Sequence, residues 1–336
     1  GELGLAGVTV PERYGGAGMD PLSYSIVIEE ISRVCASSGV ILSVNNSLVC
    51  DPILKFGTEE QKEAFLEPLA AGEMLGCFAL TEPEAGSDPA AIRTTAVRDG
   101  DDYILTGNKV FITSGTDADV AIVFATVDRE LRHKGITAFI VPADTPGYSH
   151  GSHEYKLGVN ASGTTELAFA EMRIPVSQRL GEEGAGFKEA MSALDGGRLG
   201  IASQAVGIAQ GAFEEALEYS AQREQFGRPI GEFQAIQFYL ADMSTEIDAA
   251  RLLTWKAAWA KGSGRRFSLE AAQAKLFASE MAQRVTSKAL QIHGGYGYIR
   301  EYNVERYFRD ARIAEIYEGT SEIQKMVISN WVLQNT

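Results

Sequence analysis

The sequence predicts a mainly α-helical protein with a small β domain in the middle of the chain. Three observations support this prediction. Apolar residues recur at helical spacing near both ends of the chain. Between these stretches, short apolar and β-branched runs alternate with turn residues, as in strands. The 336 residues exceed the usual size of one domain. We therefore expect a helical domain over residues 1–75, a β domain over 76–180 and a helical bundle over 181–336.

The N-terminal part mixes helical runs with Gly and Pro breaks between Pro21 and Ala71. Because the sequence opens at Gly1 rather than at Met, we expect this helical domain to be incomplete. The middle part has apolar runs at residues 103–106, 109–113, 120–124 and 136–141. Gly107-Asn108, between the first two runs, is typical of a hairpin turn. This part should form a β-barrel or sandwich.

The C-terminal part changes to a period of 3.6 residues. One apolar stripe begins at Phe187, a second includes Met243 and Ile247, and a third runs from Ala278 to Ile292. A fourth helix should follow Gly319. Long helices with short connections predict a four-helix bundle.

Composition excludes several classes of function. The 45 Asp and Glu residues outnumber the 30 Lys and Arg residues, and a net charge of −15 disfavours nucleic acid and anionic lipid as partners. The apolar runs are too short to span a membrane. Three cysteines and four histidines show no metal-ligand spacing and no disulfide framework, so we expect no metal and a reducing compartment. The nucleophile motif G-x-S-x-G is absent.

Glu318 is the first candidate for chemistry, since it lies in the apolar and aromatic segment Ile-Tyr-Glu-Gly-Thr. Burial raises the pKa of a carboxylate and makes it a stronger base near neutral pH. An ordinary glutamate at a helix N-terminus, favoured by the helix dipole, explains the local sequence equally well. Thr320 or Ser321 is expected to cap the helix that follows.

Three other segments could bind a ligand. The glycines at 294, 295 and 297 would let a backbone approach a flat or phosphorylated group, although alone they are better explained as a helix stop. Residues 77–88 form a turn rich in hydroxyl groups, and residues 223–230 form a basic, aromatic connection. Each of these two is also compatible with an ordinary loop.

In this order, the segments resemble the acyl-CoA dehydrogenase family. The matching motifs are Ala79-Leu-Thr-Glu-Pro-Glu-Ala-Gly-Ser-Asp, Arg223-Glu-Gln-Phe-Gly, Gln291-Ile-His-Gly-Gly-Tyr-Gly and Ile316-Tyr-Glu-Gly-Thr. The resemblance covers essentially the whole chain. It implies N-terminal helices, a β-barrel and a C-terminal four-helix bundle, FAD as cofactor, and a homotetramer built as a dimer of dimers.

The resemblance also implies roles for individual residues. The FAD-binding residues would be Phe78, Leu80, Thr81, Gly86, Ser87, Phe111, Ile112, Thr113, Arg223, Phe226, Gln234, Gln291, Gly294, Gly295, Thr320 and Glu322. The residues on the substrate side would be Ser87, Asp195, Arg198, Tyr317 and Gly319. Glu318 would be the base that takes the α-proton, while its backbone N–H polarises the thioester carbonyl.

Some relatives, such as the isovaleryl type, carry the base just before the arginine that is Arg198 here. That position is Gly197, which strengthens the assignment to Glu318. Residues 41–48 and the Asp195-Gly-Gly-Arg segment are similar to butyryl-CoA-type members, so we expect a short-chain acyl-CoA substrate in fatty acid β-oxidation.

The resemblance implies an electron-transfer flavoprotein as acceptor and a place in the mitochondrial matrix or the bacterial cytoplasm. Two other functions fit the same fold. An acyl-CoA oxidase would differ in the access of oxygen to the flavin, and a non-catalytic flavin-binding relative would ignore acyl-CoA. The charge and Glu318 disfavour the second of these.

Overall fold

The computed structural model describes residues 1–334 and divides by its contacts into two compact units. Residues Gly1–Asp20, Ile41–Tyr155 and Ala161–Gly197 form the first unit. The second consists of Pro21–Val40, Lys156–Asn160 and the chain from Arg198 onward. The N-terminal helix at Pro21 therefore belongs to the same unit as the C-terminal helices. The boundaries at residues 75 and 180 remain a prediction.

The N-terminal part is helical, as predicted. Its helices are α1 Pro21–Val34, α2 Ala36–Val44, α3 Asp51–Phe56, α4 Glu59–Gln61 and α5 Glu67–Ala71, with π-helical turns at Asn45–Cys50 and Lys62–Leu66. Thr58 and Gln61 form a reciprocal capping box at the start of α4. The left-handed Gly72 ends α5.

Buried asparagines fix residues 41–48, the segment linked above to short-chain substrates. Asn45 donates to the carbonyls of Ala6 and Leu69, and Asn46 accepts from the backbone N–H of Val8 at 2.7 Å. These hydrogen bonds give the buried side-chain amides of both asparagines partners within the first unit, so the two residues stabilise the packing of this segment.

The middle of the chain forms one mixed sheet. Its strands are β1 Gly76–Ala79, β2 Thr95–Asp99, β3 Asp102–Thr113, β4 Val120–Thr126, β5 Ile136–Pro142, β6 Tyr148–His150, β7 Thr164–Pro175 and β8 Arg179–Leu180. The strand order is β6-β7-β3-β2-β4-β5-β8, with β1 paired to β4. In the described residues β6 and β8 do not pair, so the sheet is open and the predicted barrel is not closed. Tyr103 and Phe139 meet edge to face in its core.

The hairpin predicted at Gly107-Asn108 is wrong. The chain continues through both residues as strand β3, which pairs with β7 and shifts its register between Leu105 and Gly107. A Cβ on Gly107 would lie 2.7 Å from the Cα of Thr94. The glycine therefore permits a close backbone approach and an irregular pairing rather than a turn.

Long helices dominate the rest of the chain. They are α6 Gly186–Gln222, α7 Gln234–Gly262, α8 Ser268–His293, α9 Val304–Ala311 and α10 Ser321–Gln334; a hairpin of β9 Glu224–Gln225 and β10 Arg228–Pro229 joins α6 to α7. In the second unit α8 packs against α7, α9 and α10, and α1 packs against α7. The predicted stripe of α8 from Ala278 to Ile292 is buried. This confirms the helical C-terminal part.

Three general features of residues 1–334 bear on function. None of the helices there is long and apolar enough to cross a membrane. Cys35, Cys50 and Cys77 are free thiols. A search of the same residues finds no group of three or more His, Cys, Asp or Glu side chains placed to hold a metal ion.

Candidate active site

The turn between α9 and α10 holds Glu318 in a strained backbone. Glu318 has a φ of 52° and Gly319 a φ of 90°, both in the left-handed region. For a glutamate this conformation is costly, and such residues cluster at functional sites. Thr320 accepts a 3.4 Å hydrogen bond from the backbone N–H of Ile323, so it caps α10 as predicted.

Two buried side chains hold the carbonyl groups of this turn. The ammonium of Lys275, from α8, donates to the carbonyl oxygen of Gly319 at 2.7 Å. The amide of Gln324, from α10, donates to the same oxygen at 2.8 Å and to the carbonyl oxygen of Glu318 at 3.1 Å. Both side chains are fully buried. Sequence reasoning gave neither residue a role: Lys275 lies outside every motif, and Gln324 is the last residue of the motif Ile316-Tyr-Glu-Gly-Thr-Ser-Glu-Ile-Gln.

Glu318 and Glu189 are the two carboxylates of the described residues that have a shielded oxygen without a hydrogen-bond partner, and of the two only Glu318 has a left-handed backbone. Its Oε2 atom is shielded from solvent and has no hydrogen-bond partner among the described residues. Burial raises the pKa of Glu318 to about 7, and the positive charges of Lys275 and Arg198 oppose this rise. A carboxylate with such a pKa and an unused oxygen can accept a proton from a bound ligand near neutral pH.

The other predicted substrate-side residues lie on α6, beside Glu318 and, for Ser87, in the loop that follows β1. Arg198 is buried in α6 and Asp195 is half-buried one turn earlier. The Tyr317 hydroxyl donates a hydrogen bond to the Gln204 side chain, and burial raises the pKa of this phenol, so it stays neutral. Tyr317, Gly319 and Arg198 lie in the second unit with Glu318, whereas Asp195 and Ser87 belong to the first.

The predicted flavin loop of the first unit is braced by a buried ion pair. Lys109 on β3 donates to Glu82 at 2.7 Å and to the carbonyl of Leu80 at 3.1 Å. Glu82 also accepts from the backbone N–H of Arg93 and of Thr94. Beyond this brace the loop is open, since a Cβ on Gly86 would meet nothing within 4 Å. Sequence reasoning treated Glu82 only as part of a motif.

The predicted flavin residues differ in exposure. Leu80 and Ile112 are buried, Phe78 is half-buried against Phe124 at 4.9 Å between ring centroids, and Thr81 and Thr113 are half-buried. Ser87 is exposed. Phe111 is 69% exposed with a φ of 58°, at a register shift between β3 and β7. A bulge of this kind re-aims one side chain, which leaves an aromatic ring available for a flat ligand.

A separate pocket of about 490 Å³ lies in the second unit around the start of the glycine cluster. It is lined by Arg223, Gly294 and Gly295, by His293 and Tyr296 of the same glycine motif, and by Tyr219, which the sequence reasoning did not select. Tyr219 stacks on His293 at 4.2 Å, and the Arg223 guanidinium lies 5.3 Å from the Tyr296 ring centre. Tyr219 lies four positions before Arg223, in the last turn of α6, so a search for aromatic residues at that spacing would have found it.

Several other predicted cofactor residues do not line this pocket. Gln291, Gln234 and Glu322 are exposed on their helices. Phe226 is 95% exposed with a φ of 53°, at the tip of the β9–β10 hairpin. An arginine, stacked rings and glycines without close neighbours nevertheless fit a nucleotide, because they supply a phosphate partner and flat apolar faces.

Comparison with known proteins decides the family. Three domain descriptions match in order: "Acyl-CoA dehydrogenase, N-terminal domain" over residues 1–73, "middle domain" over 77–172 and "C-terminal domain" over 184–333. The chain is 55% identical over 335 residues to the mitochondrial short-chain specific acyl-CoA dehydrogenase of Bos taurus, covering 100% of this chain and 81% of that one. The chain belongs to the acyl-CoA dehydrogenase family. The resemblance seen in the sequence motifs is thereby confirmed.

Solved acyl-CoA dehydrogenase structures have the same fold. Butyryl-CoA dehydrogenase from Megasphaera elsdenii superposes with a TM-score of 0.97 at 50% identity, covering 98% of this chain and 88% of that one. A chain from a structure described as the electron transferring flavoprotein of Acidaminococcus fermentans gives a TM-score of 0.98 at 51% identity, covering 98% and 87%. These similarities confirm the predicted fold class, with the sheet open as described above.

Proposed function

We propose that this acyl-CoA dehydrogenase oxidises short-chain acyl-CoA thioesters to trans-2-enoyl-CoA, with Glu318 as the catalytic base. The observation that carries the proposal is the Glu318 carboxylate, which has a buried, unpartnered oxygen in a strained turn. A structural glutamate would normally have its oxygens hydrogen-bonded.

The reaction removes one hydrogen from each of two neighbouring carbons. Glu318 takes the α-hydrogen as a proton, and its raised pKa brings the base close to the operating pH. The chemistry that bound FAD supplies is acceptance of the β-hydrogen as a hydride. The backbone N–H of Glu318 is assigned to the thioester carbonyl oxygen, where negative charge develops. Arg198, Asp195, Tyr317, Gly319 and Ser87 are assigned to the substrate side.

Each unit contains residues that we assign to FAD binding. From the first, the loop from Phe78 to Ser87 and the Phe111-Ile-Thr run would bind the flavin. From the second, Arg223 and the glycines at 294 and 295 would bind the phosphate and adenosine part, as the lining of the pocket supports. Phe226, Gln234, Gln291, Thr320 and Glu322 complete the assignment. The exposed positions of Phe226 and Gln234 suit a cofactor shared with a second copy of the chain.

The substrate and partners follow from the relatives. A short acyl chain is supported by the short-chain specific relative and by butyryl-CoA dehydrogenase. An electron-transfer flavoprotein as acceptor is supported by the Acidaminococcus structure. We assign the protein to a homotetramer in β-oxidation. We place it in a reducing compartment, the mitochondrial matrix or the bacterial cytoplasm, which agrees with its three free thiols.

An anaerobic titration of the FAD-loaded protein with butyryl-CoA tests the function. We expect butyryl-CoA to bleach the flavin band and octanoyl-CoA to do so less effectively. The Glu318→Gln variant should bind FAD and remain unbleached. Rapid reoxidation by air with formation of peroxide would identify an oxidase instead. A parent protein that binds flavin and ignores every short acyl-CoA would overturn the proposal.

A further inference from the structure

Lys275 presents a feature that the proposed mechanism does not use. Its side chain is fully buried in α8, yet the hydrogen bond it makes is to a backbone carbonyl, that of Gly319, and not to a carboxylate. Burying an ammonium group is costly unless its charge is compensated. The negative charges that act on it are those of Glu318 and Glu322.

We propose that Lys275 is a positioning residue for the catalytic base: it clamps the Gly319 carbonyl to hold the left-handed turn, and its charge favours the carboxylate form of Glu318. This inference rests on the proposed function, because it takes Glu318 as the base.

The clamp follows from the geometry of the turn. Glu318 and Gly319 both have positive φ values, and the extended or helical alternatives are favoured for a glutamate. Donors from two different helices converge on the Gly319 oxygen, at 2.7 Å from Lys275 and 2.8 Å from Gln324. The φ of 90° at Gly319 favours glycine, and a Cβ there would also lie 2.7 Å from the Gln324 amide nitrogen and displace that donor. The two donors therefore hold the strained turn in one conformation.

The positive charge of Lys275 also supports catalysis, because it favours the deprotonated form of Glu318 that acts as the base. Burial raises the pKa of Glu318, and Lys275 is the first of the two cations that lower it again; the second is Arg198 from α6. Burial lowers the pKa of Lys275 to about 7, so its positive charge acts on Glu318 mainly below neutral pH, where the acid limb of the rate profile lies; Glu318 and Glu322 oppose that lowering, and Arg198 adds to it. Tyr317, the neighbouring phenol, remains neutral because its pKa is raised. Without Lys275, the Glu318 proton would be held more tightly.

The clamp and the charge can be separated by substitution. Lys275→Met removes both, while Gln324→Met removes a donor to the same carbonyl groups without changing any charge. The measurement is kcat/KM for butyryl-CoA from pH 5.5 to 9, with FAD content and circular dichroism as controls. In Lys275→Met we expect the acid limb of the profile to move up by about one pH unit, because an opposite charge lowers a carboxyl pKa by roughly that much or more.

In Gln324→Met, the maximum kcat/KM should fall, while the midpoint pH of the acid limb should stay at the parental value. Should Lys275→Met fail to fold, Lys275→Gln and Lys275→Arg give the same comparison. The acid limb should move to higher pH in Lys275→Gln and stay at its parental pH in Lys275→Arg. A parental midpoint in the neutral variants, or an equal shift in Gln324→Met, overturns the inference.

Failure of the proposed function is distinguishable from failure of this inference. If the parent is not bleached by butyryl-CoA, or Glu318→Gln is bleached as fast as the parent, the function itself is wrong. If both behave as proposed and the Lys275 variants titrate like the parent, only the role of Lys275 is wrong.

Discussion

Each unit of the molecule has a glutamate whose pKa is influenced by a buried lysine, but the two arrangements are opposite. In the first unit, Lys109 donates to the Glu82 carboxylate at 2.7 Å, and two backbone N–H groups donate to the same carboxylate. In the second, Lys275 donates to a carbonyl oxygen, while Oε2 of Glu318 has no donor among the described residues. The same pair of residue types thus forms a direct ion pair in one unit, whereas in the other it leaves a carboxylate oxygen without a hydrogen bond, able to accept a proton.

The difference shows what makes a buried carboxylate reactive. Burial acts to raise the pKa of Glu82, but the Lys109 charge and its hydrogen bonds outweigh burial and hold that pKa below its usual range. For Glu318 burial outweighs the nearby cations and the pKa rises. Hydrogen bonds to the charged form therefore decide between a stable anion and a base. The five predictions that follow test this contrast.

The largest effect should come from Glu318→Gln. Loss of the base should slow flavin reduction by butyryl-CoA by about 10³-fold, since general base catalysis contributes roughly 10²–10⁴-fold. Stopped-flow absorbance under anaerobic conditions measures the rate. Glu82→Gln is the matched control, and its rate per bound flavin should change far less. An equal loss of flavin-reduction rate in Glu318→Gln and Glu82→Gln would show that the two glutamates do not differ in function.

The second effect is on stability. Lys109→Met leaves Glu82 buried without its counter-charge, and breaking a buried pair by removing one partner costs about 3–5 kcal/mol of unfolding free energy. Urea denaturation of the FAD-loaded protein measures the loss. The double variant with Glu82→Gln should lose less, because no unpaired charge remains. A double variant as unstable as the single one would show that packing, not charge, is responsible.

The third effect concerns the turn. Gly319→Ala combines a positive φ with a Cβ only 2.7 Å from the Gln324 amide nitrogen, and should cost about 2 kcal/mol. Gly86→Ala, where a Cβ meets nothing within 4 Å, is the control and should cost under ~0.5 kcal/mol before FAD is added. Denaturation of the FAD-free proteins compares them. Similar losses would mean that the strain at Gly319 is not specific.

The smallest effect is in the pH dependence. Because the pKa of Glu318 is raised to about 7, its carboxylate is the minor form at pH 6 and the major form at pH 8. Initial rates at low butyryl-CoA should therefore rise between these pH values and level off above them. A flat profile over this range would contradict the assignment of the base.

Stability should depend on pH with opposite sign for the two glutamates. The stability from Glu318 is complete below the ordinary carboxyl value of 4.5 and is lost as pH rises through about 7, since the folded state binds the proton more tightly. Glu82, with a lowered pKa, contributes stability above 4.5 that is lost only as pH falls through its folded pKa. Thermal unfolding of Glu318→Gln and Glu82→Gln across this range separates the two.

Most of the helical fold and the centre of the site could be predicted from the sequence. The apolar stripe of α8, the cap at Thr320 and the candidate base at Glu318 all depend on residues close together in the chain. The hairpin at Gly107 was wrong because Gly-Asn favours a turn locally, whereas pairing of β3 with β7 favoured a continuous strand. The open edge of the sheet has no local sequence signal.

The sequence by itself determined the order of the helical and β parts and the motifs that carry the family resemblance. Only the tertiary structure decided which charges are buried and what they contact. Lys275 reaches Gly319 across 44 residues, and Lys109 reaches Glu82 across 27. Periodicity reports on neighbours within a few positions, so it cannot distinguish the two glutamates. Their difference is set by desolvation and by donors that distant segments supply.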